Sequence, residues 1–184
     1  MALAAATLLA AGCGAAPIDA ARTALSPTPA HGTFPDIDES VLTAGQRRFL
    51  GVVRAEHAAQ RPATTYSQGV EEPWCADFVT WVARESGAPL ANPHSGGWRI
   101  LGVLTLREAL RASGAWRPAD GRYTPKLGDI VLYDDPSPLG QHTNYVLAHR
   151  EGEITTVGGN ERGGVSVTTH RLTPELTILG YGAR

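Results

Sequence analysis

Pro73-Trp74-Cys75-Ala76-Asp77-Phe78-Val79-Thr80-Trp81-Val82-Ala83-Arg84-Glu85-Ser86 is the stretch on which the fold turns. Pro73 suits a first helical position, where its missing N–H has no partner to lose. Trp74, Phe78, Trp81, Val82 and Glu85 recur at helical spacing and build one mostly apolar face. Gly87 and Pro89 end the run. The spacing predicts a helix over 73–86 that buries one side and carries Cys75 in its first turn. A thiolate at that position is stabilised by free backbone N–H groups and the partial positive charge of the helix start. The same N–H groups can receive the oxyanion of a tetrahedral intermediate. The competing reading is a small apolar core residue, a common fate of free cysteine.

Upstream, Thr43-Ala44-Gly45-Gln46 has capping-box spacing, and Phe49, Leu50, Val53 and His57 follow at helical intervals, which predicts a helix over 44–60. Downstream, Thr105-Leu-Arg-Glu108 is a second capping box, and Gly114 closes a predicted helix over 105–113. The period then changes to two. Strands are expected at 129–133, after the turn Pro125-Lys-Leu-Gly128, at 142–149, at 153–157 with Gly158-Gly159 breaking it, at 165–170 and at 176–179. Helices first and strands afterwards is the α+β order, with N-terminal helices packed on one face of an antiparallel sheet.

A thiolate nucleophile needs a base, and the base an orienting acceptor. Of the six histidines, His142 stands where an imidazole at a sheet edge can face a helix start, just after the loop 134–141. Strict alternation turns His149 to the opposite face. Asp129, beside the Gly128 turn, reads as a structural Asx residue. Trp74 and Trp81 read as core. Trp98, in the Gly-rich loop 94–98, is placed where it could flank a substrate cleft.

Composition narrows the class. The 184 residues suit one domain. Hydrophobic residues make up 42%, enough for a core and too few for a polytopic membrane protein. Sixteen basic against eighteen acidic residues leave a net charge of -2, which argues against nucleic acid as the main partner. Two cysteines exclude a disulfide framework and a Cys-rich zinc site. No His-x-x-x-His pair or phosphate-loop spacing is present, so no metal or organic cofactor is expected.

The chain opens with an apolar run over Ala2–Ala11, too short to span a bilayer and of the length of an export signal. Ala11-Gly12-Cys13 resembles the end of a bacterial lipoprotein signal, which implies lipidation at Cys13 and membrane attachment, with simple secretion as the alternative. Residues 14–40 hold Pro17, Pro27, Pro29 and Pro35 among small residues and read as a tether. The organisation expected is therefore a leader over 1–13, a tether over 14–40 and a domain over 41–184.

Pro73–Val82 resembles the nucleophile helix of the CHAP domain, the cysteine- and histidine-dependent amidohydrolase/peptidase family with NlpC-like and papain-like relatives. Pro125–Tyr133 is similar to that family's Pro-Gly-Asp-Ile-Val strand, His142-Thr-Asn-Tyr-Val-Leu147 to its His-Val-Gly-Ile-Val strand, and Val157-Gly-Gly-Asn160 to its Glu-Gly-Asn turn. The resemblance implies Cys75 as nucleophile, His142 as base and Asn160 as the residue that orients the imidazole or lines the oxyanion site. Two positions depart from the pattern. Gly158 stands where many members carry Glu, and Asn144 where the family has Gly; Glu161 is adjacent but is expected on a different side of the turn. Asn144 shares a face with His142 and is expected to touch substrate, beside Trp98 and Gln68, the last as an oxyanion donor. The function implied is hydrolysis of amide bonds in bacterial peptidoglycan, as endopeptidase or N-acetylmuramoyl-L-alanine amidase. The alternatives are an acyltransferase using the same pair and a wall-binding lipoprotein silenced at Asn144 and Gly158.

Overall fold

The structure, a computed structural model, describes residues 30–184. Cys13 and the export reading lie outside the described residues. Three helices are formed by Ala44–Ala59 (α1), Cys75–Glu85 (α2) and Val103–Ala112 (α3). Six strands follow: Trp116–Pro118 (β1), Ile130–Tyr133 (β2), His142–Arg150 (β3), Glu153–Glu161 (β4), Gly164–Arg171 (β5) and Ile178–Gly182 (β6). They form one antiparallel sheet in the order β1-β6-β2-β3-β4-β5. The α+β expectation holds.

Local chemistry accounts for the elements. The Thr43–Gln46 capping box starts α1 as read. α2 begins at Cys75, with Trp74 as its N-cap, so Pro73 precedes the helix and does not occupy its first turn. α3 starts at Val103 after Gly102, and the box read at Thr105 does not form, because a helical turn already lies upstream of it. Cross-strand residues share a face. Ile130, Leu132, Tyr145, Leu147, Val157, Val165 and Val167 therefore meet the helices in the main core, while Val131, Tyr133, Val146, Ile154 and Tyr181 form a smaller cluster on the outer face. β3 and α2 are joined by the Tyr145 hydroxyl, which donates to the Val79 carbonyl at 2.7 Å. Asp129 is structural, accepting from Lys126 N–H and the Tyr123 hydroxyl, both at 2.7 Å.

Three expectations are corrected. Residues 158 and 159 do not end β4: each glycine permits a contact that a Cβ would block, Gly159 with Trp74 and Phe78 of the helix layer and Gly158 with Asn144 and Glu161 on the outer face. A register shift between Val146 and Ala148 breaks the alternation of β3, so His149 pairs with Ile154 and faces the outer side, as His142 does. The packed unit also begins upstream of residue 41. His57 Nε2 meets the His31 carbonyl at 2.9 Å, Val167 N–H donates to that same carbonyl at 2.8 Å, and Phe34 packs edge-on against His57. A stretch assigned to the tether is thus docked across α1 and β5.

Candidate active site

α2 presents its N-terminus to the sheet because aromatic packing fixes both its start and its tilt. Tyr66 stacks on Trp74 with centroids 5.0 Å apart and meets Phe78 and Trp81 edge-on. The Tyr66 hydroxyl donates to buried Glu56 on α1 at 2.8 Å. The same first turn is braced from the other side by Arg99, whose Nε donates to Asp77 Oδ1 at 2.7 Å and whose guanidinium also pairs with Glu72. Burial raises the Asp77 pKa, against the lowering effect of Arg99. Cys75 is therefore held, buried to 7% exposure, at the first position of a fixed helix, and no side chain caps that helix start, so its first-turn N–H groups have no side-chain partner.

His142 stands at the first residue of β3, buried to 6% exposure and stacked on the Tyr133 ring at 6.2 Å. Its Nε2 lies 2.9 Å from Glu161 Oε1, which leaves Nδ1 as the nitrogen for a second partner. Cys75 neighbours the ring and is among the groups that raise its pKa. Burial works against a charged imidazole here. The neighbouring Cys75 and Glu161 outweigh it and push the His142 pKa up to about 9. The pair therefore favours a proton on the ring at neutral pH.

The carboxylate that orients His142 belongs to Glu161, which corrects the expectation for Asn160. An extra residue in β4, between the pairs Gly158–Ser166 and Glu161–Gly164, forms a bulge. Asn160 sits in it with φ 61°, a left-handed conformation that Asn tolerates. The Asn160 side chain is exposed, and Glu161 is carried to the outer face. There Glu161 accepts from Asn144 Nδ2 at 3.1 Å as well as from His142, and from the Thr168 hydroxyl at 3.3 Å. Its carboxylate occupies the space a side chain on Gly158 would fill. Asn144 is fully buried, and its remaining bonds go to Thr156 Oγ1 at 3.0 Å and from the Tyr133 hydroxyl at 3.3 Å. Its donors are committed to the protein, so it braces Glu161 and does not contact substrate.

Two further residues fall elsewhere. The Trp98 ring lies under the Arg84 guanidinium at 4.1 Å, at the C-terminal end of α2. Arg84, and Asp77 that pairs with the neighbouring Arg99, lie on the side of α2 opposite Cys75, so Trp98 docks away from the thiol. Gln68 occupies an exposed turn with φ 57°, without a side-chain hydrogen bond among the described residues. Sequence reasoning missed Glu161, Thr168 and Tyr133 as parts of the site. The signal for Glu161 was the joint occurrence of Gly158 and Asn144, each the reverse of what the resemblance implied.

The CHAP domain family model matches residues 65–160, just over half of the chain, and ends one residue short of Glu161. No curated protein sequence matches the chain. Among solved structures, the crystal structure of Ly7917 is similar, with a TM-score of 0.51 at 15% identity. The likeness covers 74% of this chain and 61% of that one, so the chain spans under two thirds of that protein's length, and it bears on the fold alone.

Proposed function

The chain belongs to the CHAP domain family, a generally hydrolytic cysteine/histidine amidase and peptidase family that acts on peptidoglycan, and on that premise we propose that it cuts amide bonds in the peptide part of bacterial peptidoglycan. Cys75 Sγ, as thiolate, attacks the scissile carbonyl. The developing oxyanion is received by the uncapped N–H groups at the start of α2. His142 then delivers its proton to the leaving amine, the C–N bond breaks, and a thioester remains on Cys75. Water attacks that thioester, giving one proton to His142, the C–S bond breaks, and the free acid leaves with the Cys75 thiolate and the protonated His142 restored. Glu161 is the positioning residue: it holds the ring through Nε2, leaves Nδ1 for the sulfur, and stabilises the imidazolium whenever His142 carries the proton. Endopeptidase action is favoured over the amidase cut.

The observation that carries this reading is the His142–Glu161 contact of 2.9 Å, braced by Asn144. The silent-lipoprotein alternative rested on Asn144 and on the absence of Glu at 158. With Glu161 filling the space beside Gly158, both departures become parts of one arrangement. Export, with Cys13 as a lipid attachment point, belongs to the same proposal and is supported by the apolar run that precedes it. The test is iodoacetamide labelling of Cys75 at neutral pH. Labelling much faster than that of an ordinary thiol is expected; labelling at the ordinary rate contradicts an activated site.

A further inference from the structure

A cavity of about 320 Å³ opens beside the His142–Glu161 pair, on the outer face of the sheet. Pro138 and Leu139 give it an apolar wall, and Asn160, Arg162 and His170 line it with polar nitrogens. These nitrogens lack internal partners. Arg162 makes no ion pair among the described residues. His170 Nε2 is buried without a hydrogen-bond partner. The Asn160 side chain, turned outward by the bulge, is exposed.

Resting on the amide-hydrolase reading, we propose that this cavity, on the Glu161 side of the His142 ring, is a substrate subsite for a carboxylate carried on a short aliphatic stem, with Arg162 as its principal partner and His170 and Asn160 as neutral partners. A buried polar nitrogen without a partner is costly, and with His170 in its Nε2–H tautomer the side chains assembled here, two of them exposed at the cavity's edge, suit an acceptor-rich anion. Arg is the residue best shaped to bind a carboxylate through two parallel hydrogen bonds. Pro138 and Leu139 would take the methylene stem.

Glu161 also lines the cavity and is the one group that would repel such a ligand. Its charge is balanced by His142, which carries a proton at neutral pH, so Arg162 sets the sign of the wall. Burial lowers the His170 pKa, which keeps that ring neutral and able to donate without adding charge. A metal ion is a poor alternative occupant, because among the described residues no three His, Cys, Asp or Glu side chains converge on one point.

The test uses the full chain carrying Cys75→Ala, so that binding is read without turnover. Three probes are compared by isothermal titration: N-acetyl-alanyl-glutamate amide, N-acetyl-alanyl-glutamine amide, and N-acetyl-alanyl-alanine with a free C-terminal carboxylate. At least one carboxylate probe is expected to bind roughly tenfold or more tightly than the neutral glutamine probe. Which one does so distinguishes a side-chain acid from a chain end. Adding Arg162→Ala should erase that preference, and Arg162→Lys should retain part of it. Equal affinities for charged and neutral probes, no binding by any of the three, or a preference untouched by Arg162→Ala overturns the proposal. Slow iodoacetamide labelling of the unmodified thiol would instead overturn the hydrolase reading, so the two failures are distinguishable.

Discussion

Glu161 Oε1 accepts from His142 Nε2 at 2.9 Å and from Asn144 Nδ2 at 3.1 Å, so one carboxylate oxygen ties together two side chains of the same strand face. Its charge contributes to holding the proton on His142. Glu161→Gln retains a hydrogen-bond acceptor and removes that charge. The expected result is a loss of roughly 100-fold in kcat/KM and a basic limb that moves down from about pH 9. A pH–rate profile on a soluble peptide substrate checks both. An unmoved limb would remove Glu161 from the account of His142.

Gly158 and Asn144 are coupled to Glu161 by space. A Cβ on residue 158 would collide with the Glu161 carboxylate and with Asn144 Cβ. Gly158→Ala alone should therefore displace Glu161, with a cost of about 1–3 kcal/mol and a fall in activity. Exchanging all three positions together, as Asn144→Gly, Gly158→Glu and Glu161→Gly, restores the family arrangement that the sequence resemblance implies. That triple variant should be more active than Glu161→Gly alone, and urea unfolding beside a peptide-hydrolysis assay separates stability from activity.

Stability should depend on pH through His142. Its pKa is raised from an ordinary value near 6.5 to about 9 in the fold, so the folded chain holds the proton more tightly than the unfolded one. The resulting stabilisation is fully present below about pH 6.5 and is lost as pH rises through about 9, on the order of 1–3 kcal/mol. Urea unfolding at pH 6 and pH 9.5 measures it, and Glu161→Gln should flatten the difference.

The nucleophile helix and the strand carrying His142 were readable because each has a long, regular period: the apolar face of α2, and a buried strand beginning after a Pro- and Gly-containing loop. Glu161 was not. Counting by twos from Val157, which faces the helices, puts residue 161 toward the helices as well. The bulge at Asn160 resets that count, and nothing in the local alternation announces it. Gly158 and Gly159 invite the same error, since a strand-breaking glycine and a glycine that admits a neighbouring layer look alike until the neighbour is known. Trp98 failed for another reason: a Gly-rich loop does not say which face of α2 it docks on, and the partners that decide it, Arg84 for Trp98 and Asp77 for Arg99, lie on α2 itself.

The thiol depends on a buried charge pair far from the imidazole in sequence. Arg99 neutralises Asp77, which is fully buried in the first turn of α2 and leaves Oδ2 without a partner. Arg99→Met should destabilise the fold by about 3–5 kcal/mol, because it strands a buried carboxylate. Burial already raises the Asp77 pKa, so the deficit should shrink as pH falls and Asp77 takes up a proton. Adding Asp77→Asn should recover part of the loss in urea unfolding, which distinguishes a stranded charge from lost packing.

The most direct measurement is mass spectrometry of purified sacculi incubated with the full chain or with its Cys75→Ala variant. New free amine termini should appear with the unmodified chain and be absent with the variant. Their absence from both, their equal release by both, or the appearance of new amide joins in their place would contradict a thiol-dependent wall hydrolase.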